Sequence, residues 1–265
     1  MIFIVWIIAF AGIGLIAGIL AGLLGIGGGI VTVPCLVLAL KLMNFPPNSF
    51  MHIAIGTSLA AMVFNSFSSF YTHNKKKGVK FSIVRPMALG ILFGSFIGAL
   101  LAKVLPGSFL QTFFGAFECL LGIRFLFKEK KIKTMRKLPH FFSLSGIALG
   151  VSTLSTMLGI GGGLVNVPIL TYFHVPLKKA IGTSSALSFL ISLLGAIFFL
   201  IMGMQDTSYP STFGFIYVPA FVAISIASFF AAPLGVKLTH IMPAAILRRI
   251  FGVVLLLGGV SMMIS

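Results

Sequence analysis

Charge is what this chain has least of: Asp and Glu together number 3 in 265 residues, and charged residues of both signs make up 8%. Soluble domains carry about 25%, so the composition excludes a water-exposed globule. Apolar residues reach 58%, above the usual range of roughly 45–50%, and the chain reads as an all-α polytopic membrane protein. Cysteine is nearly absent too. Cys35 and Cys119 both fall inside apolar segments, where they read as small buried hydrophobes rather than as a disulfide or metal pair. No GxxxxGK[ST] loop is present, so any active process would draw on an ion or proton gradient or on a partner protein. The opening MIFIVWIIAFAG lacks the basic stretch and the small-residue cleavage site of a signal peptide, and the first apolar segment is expected to stay as a membrane helix.

Long apolar runs are plentiful. A helix needs roughly 20 apolar residues to cross a hydrocarbon layer of about 30 Å, and such runs occupy 3–24, 50–72, 82–104, 109–127, 140–158, 179–203, 213–236 and 244–264. They predict eight full spans, with two short segments, 30–41 and 164–174, each following a glycine cluster. The formal charge of +16 would suggest nucleic acid in a soluble protein. Here the basic residues gather between spans, at Lys75, Lys76, Lys77 and Lys80 and from Lys128 to Lys137. That is the positive-inside pattern, and the partners it predicts are anionic lipids of the cytoplasmic leaflet, not nucleic acid.

The chain is internally duplicated. LGIGGGIVTVPCL at 24–36 returns as LGIGGGLVNVPIL at 158–170, AIGTS occurs at 54–58 and 180–184, and Pro106–Gly115 matches Pro243–Gly252. A first membrane repeat at 1–128 and a second at 140–265 are joined by a basic cytoplasmic linker at 129–139. If each short segment completes a crossing, almost every cation falls on one side, with Lys41 and Lys103 as the exceptions. Equivalent loops also differ in charge: KKKGVK at 75–80 is basic, whereas 205–212 carries only Asp206. Opposite bias at equivalent positions predicts inverted repeats with both termini outside.

A glycine cluster at membrane depth releases backbone from helix where no bulk water can satisfy it, which is tolerable only inside protein or against a cavity. Gly25, Gly27, Gly28 and Gly29 are therefore expected to meet Gly159, Gly161, Gly162 and Gly163 near the midplane. Helix N-termini facing that point would offer N–H groups and partial positive charge to a small anion. Thr57, Ser58, Thr183 and Ser184, in the helices that follow, and Asn166 are expected to add hydrogen bonds to substrate oxygens; Asn65 is a weaker candidate of the same kind. Glu118, the one acid in the middle of a predicted span, is a candidate for proton coupling, with Leu255 at its aligned position in the second copy. His52, His73, His140, His174 and His240 show no ligand-like spacing, so no metal and no cofactor are expected. A dinucleotide fingerprint is excluded because no acidic residue follows about 20 positions after the glycines.

LGIGGGxVxVP followed by AIGTS, both twice in a chain of this length, resembles the TauE/SafE family of sulfite exporters. The resemblance implies a transporter of the bacterial inner membrane for small sulfur-containing or organic anions such as sulfite, sulfonates or sulfoacetate. Its glycine and GTS motifs fall on Gly25–Gly29, Gly56–Ser58, Gly159–Gly163 and Gly182–Ser184. An anion channel is the nearest alternative, since the same helix ends could line a pore. An intramembrane enzyme with Ser58 or Ser184 as nucleophile lacks a histidine at matching depth, His52 apart. Which anion moves, in which direction, and whether the chain forms a homo-oligomer stay open at this level.

Overall fold

The computed structural model describes residues 2–25, 27–45, 49–127, 139–205 and 210–264. The basic linker, apart from its last residue, and Asp206 lie outside the described residues. The described chain is helical throughout, save one two-stranded hairpin: α1 (Ile2–Leu24), α2 (Gly29–Leu42), α3 (Phe50–Lys75), α4 (Phe81–Val104), α5 (Gly107–Leu126), α6 (Phe141–Leu158), α7 (Gly163–Tyr172), α8 (Leu177–Gly203), β1 (Thr212–Phe213), β2 (Ile216–Tyr217), α9 (Val218–Ile241) and α10 (Ala244–Ile264). Seven helices are long and apolar enough to cross a membrane; Gly29–Leu42, Gly163–Tyr172 and the stretch Arg249–Ile264 of α10 are shorter apolar helices. With 14 and 10 residues, α2 and α7 rise about 21 and 15 Å. Both fall short of the hydrocarbon thickness.

Contacts order the helix ends. At one end, a β-carbon added to Gly182 would meet the Gly78 carbonyl at 2.6 Å, and one added to Gly252 would meet Leu126 at 2.8 Å. At the other end Lys41 Nζ donates to Gln111 Oε1 (3.4 Å), Gln111 Nε2 donates to the Met262 carbonyl (2.8 Å), and His52 Nε2 donates to the Ala102 carbonyl (2.9 Å). The first end holds Lys75–Lys80, Arg85, Arg124, Lys178 and Lys179; the second holds Lys41 and Lys103. Successive helices consequently alternate in direction. α1 and α2 form a hairpin entering from the second end, α6 and α7 one entering from the basic end, and the two bends meet inside.

α1 packs along α9 and α4 along α6; α3 packs on α8 and on α9, α4 also on α8, and α5 on α10. Small residues set these approaches, because in lipid helices associate by close van der Waals contact rather than by hiding apolar surface from water. A β-carbon on Gly18 would run into the Ser228 carbonyl, one on Gly235 into that of Ile19, one on Gly90 into that of Ser145 and one on Gly98 into that of Thr153. α3 is the most enclosed of the long helices, whereas α1, α4, α9 and α10 carry outward rows of large apolar side chains such as Phe3, Ile8, Phe93, Ile226, Phe230 and Leu257. Those rows are the surface a bilayer covers.

Candidate functional site

Both glycine runs unwind in the same way. Gly25, Gly27 and Gly28 in the first and Gly159 and Gly162 in the second have φ between 68° and 79°, the left-handed region that a side chain makes costly. These residues end α1 and α6 and start α2 and α7. The runs lie against each other: a β-carbon on Gly29 would collide with the Gly159 carbonyl, and one on Gly27 would lie 3.5 Å from the Gly161 Cα. Gly28 packs on Ala17, and Gly163, the first residue of α7, is buried.

The serines of the two AIGTS segments hold this crossing together. Ser58 Oγ donates to the Gly159 carbonyl (3.1 Å), and both Ser184 Oγ and Ser188 Oγ donate to the Gly25 carbonyl (3.1 Å each). Each of these bonds joins one half of the chain to the other and satisfies a carbonyl that the unwinding released. The threonines have a different task. The Tyr217 backbone N–H donates to Thr57 Oγ1 (2.9 Å) and the Lys80 backbone N–H to Thr183 Oγ1 (3.0 Å). Tyr217 and Lys80 are the residues just before α9 and α4, so the threonines tie down the starts of those helices, away from the crossing. Gly56 and Gly182 allow the approach: a β-carbon on Gly56 would strike the Phe215 carbonyl.

Around the crossing stands a set of buried polar atoms without protein partners. Asn166, 1% exposed, has neither amide atom bonded; Asn65 Nδ2 and Thr156 Oγ1 are likewise free. A β-carbon on Gly162 would lie 3.1 Å from Asn166 Nδ2 and 3.2 Å from Ser155 Oγ, and one on Gly27 3.1 Å from Ser66 Oγ. Ser66 Oγ in turn donates to Asn65 Oδ1 (3.3 Å), leaving the Asn65 amide N–H groups available. Buried polar groups in lipid are costly without a partner. This set presents neutral donors next to the N-termini of α2 and α7, with the Lys and Arg residues toward the bundle ends. Ser155, Thr156 and Ser188 have no hydroxyl counterpart in the first copy, where Ala21, Gly22 and Met62 stand, whereas Ser66 aligns with Ser192. The signal for Ser155 and Thr156 is the run TLST, which puts hydroxyls in the last turn before the second glycine cluster.

Glu118 sits elsewhere. It is wholly buried on α5, facing Gly258 of α10, and neither carboxyl oxygen has a partner. Three cavities lie off the glycine crossing. One of about 340 Å³ opens between α5, α6 and α7, lined by apolar residues with Arg124 and Tyr172; two apolar grooves of 430 and 580 Å³ run along α9.

A family model described as sulfite exporter TauE/SafE matches residues 10–262. The chain belongs to the TauE/SafE family. A probable membrane transporter protein of Haemophilus influenzae is 32% identical over 256 residues, covering 96% of each chain. A probable membrane transporter protein of Bacillus subtilis, YunE, is 30% identical and covers 93% of each chain, and one of Methanocaldococcus jannaschii is 28% identical over 95% of this chain and 93% of its own length. No solved structure matches the chain. Family membership and the long apolar helices make this TauE/SafE protein a multi-pass membrane protein of a transporter family.

Proposed function

We propose that this protein is a secondary transporter of the bacterial inner membrane that moves small sulfur-containing or organic anions, of the sulfite, sulfonate or sulfoacetate type, by alternating access. The observation that carries the reading is the meeting of two unwound glycine bends beside Asn65 Nδ2, Thr156 Oγ1 and both amide atoms of Asn166, buried polar atoms that lack partners. Amide and hydroxyl donors can bond the oxygens of an anion, and the N-termini of α2 and α7 supply partial positive charge that side-chain cations do not supply there.

The packing supports two inverted repeats, at 1–128 and 140–265. Exchanging the halves turns the α1–α9 pairing into α6–α4 and the α3–α9 pairing into α8–α4, while α3–α8 and α5–α10 map onto themselves. The basic end then faces the cytoplasm, and each bend dips toward the midplane from an opposite side. Rocking of one half against the other would open the crossing to each side in turn.

The test is flux of labelled sulfoacetate and of sulfite in proteoliposomes. Asn166→Leu, which keeps the branched heavy-atom outline of Asn without its hydrogen-bonding atoms and is free of the backbone strain that a glycine replacement adds, is expected to cut flux at least tenfold while leaving detergent-purified protein monodisperse. Accumulation of labelled anion driven by counterflow marks a carrier; flux that ignores anion on the far side marks a channel instead. Unchanged flux in Asn166→Leu removes the assigned site.

A further inference from the structure

Pro34 lies inside α2. Having no N–H, it cannot bond the carbonyl four residues earlier, that of Ile30, so this carbonyl on the first turn of α2 loses its usual helical donor. The opening beside it is shaped by Gly258 of α10. A β-carbon there would lie 2.6 Å from Glu118 Oε2 and 3.6 Å from the Ile30 carbonyl oxygen, so the acid and the carbonyl border one notch that exists because residue 258 has no side chain. Glu118 is wholly buried with both oxygens unpartnered. Leu255 and Leu121 stand at the positions that correspond to Glu118 and Gly258 in the other half, so the notch occurs once.

We infer that Glu118 is the proton-binding residue of transport and that its protonation state is read by α2 through the Ile30 carbonyl. This deepens the transport reading and rests on it. The acid form has an O–H to donate to Ile30; the carboxylate has only acceptors and cannot bond a carbonyl. One O–H bond forms on the carboxylate with a proton from one aqueous side, and the same bond breaks to release that proton on the other; no further reactant takes part. The consequence falls on α2, whose N-terminus is the first glycine bend. Around Glu118 the neighbouring titratable group on α2 is Cys35. On its own helix, Cys119 is adjacent and Arg124 lies about 9 Å further along; on α10 Arg249 lies toward the basic end, two and a half turns from Gly258. His52 on α3 is occupied by the Ala102 and Leu105 carbonyls, and His140 heads α6 at the basic end.

Two measurements decide it. In purified wild-type protein a hydrophobic carbodiimide, which modifies protonated carboxyls in apolar surroundings, is expected to label Glu118 in peptide mass spectra, with labelling falling at least fivefold as pH rises from 5 to 9. Failure to label, or labelling constant over that range, overturns the inference without reference to any substrate. In proteoliposomes with labelled sulfoacetate, Glu118→Gln is expected to lose at least tenfold of the accumulation driven by a pH gradient while keeping counterflow exchange within twofold of wild type. Gradient-driven accumulation retained in Glu118→Gln, or driven by sodium in place of protons, also overturns it. If neither protein moves sulfoacetate, the substrate reading has failed, and the labelling profile still decides the proton site.

Discussion

Two hydroxyls serve one carbonyl at Gly25, and this redundancy sets what single changes can do. Ser184→Ala leaves Ser188 in place, so it is expected to cost under about 1 kcal/mol, the usual size of a side-chain hydrogen bond between membrane helices. Removing both hydroxyls leaves the carbonyl with no donor, a penalty of about 1–3 kcal/mol, so Ser184→Ala with Ser188→Ala should lower the thermal midpoint in detergent by more than the two single effects combined. Additive single and double effects would show that the two serines do not share this acceptor. The importance of Ser58 and Ser184 is legible in the sequence because AIGTS occurs twice. Their partners are not, since periodicity gives depth along a helix but says nothing about which backbone on another helix has been released. Asn166 is legible as a polar residue at depth; Thr156 is hidden because its counterpart, Gly22, has no side chain to play the same part.

At the scale of the element, hydropathy locates helices well wherever the lipid boundary and the helix end coincide. α1, α4, α6 and α10 begin and end within about two residues of their apolar runs. α3 continues past its run through His73 and Asn74 to Lys75, because helix can go on where the apolar pattern stops. α9 differs for another reason. The apolar residues Phe213, Phe215, Ile216 and Tyr217, predicted to open that span, belong instead to a hairpin packed on α3: Gly214 turns it at φ 57° and Phe215 lies against His52 and Phe199. Burial alone cannot distinguish a helix start from a buried turn. The internal proline of α2 gives the prediction for this scale. Pro34→Ala returns a donor to the Ile30 carbonyl and is expected to add roughly 1–3 kcal/mol to helix stability, raising the thermal midpoint, while flux falls and the carbodiimide labelling of Glu118 loses part of its pH dependence. A higher midpoint with unchanged flux would detach Pro34 from function.

For the molecule as a whole, orientation follows from charge and the pairing of helices follows from shape. Lys76 and Thr212 lie at opposite ends of the bundle, and the inverted arrangement predicts opposite reactivity in a background lacking Cys35 and Cys119. A cysteine at 212 should react with an impermeant maleimide on intact cells, and one at 76 only after the membrane is opened. Labelling of both 76 and 212 from the cytoplasmic side would make the repeats parallel. Charge is the sequence signal for this proposed orientation, whereas the partner exchange has none: a run of apolar residues carries no record of which neighbour its small residues admit.

That exchange has a consequence for how the chain is made. α1 finds its long-range partner in α9 and α4 finds its own in α6, so the first five helices leave the insertion machinery with glycine-lined flanks that only the later half can cover. Neither half is a self-sufficient unit, and a gene severed within the basic linker should yield fragments that are degraded when produced singly yet survive as an interlocked pair when synthesised together.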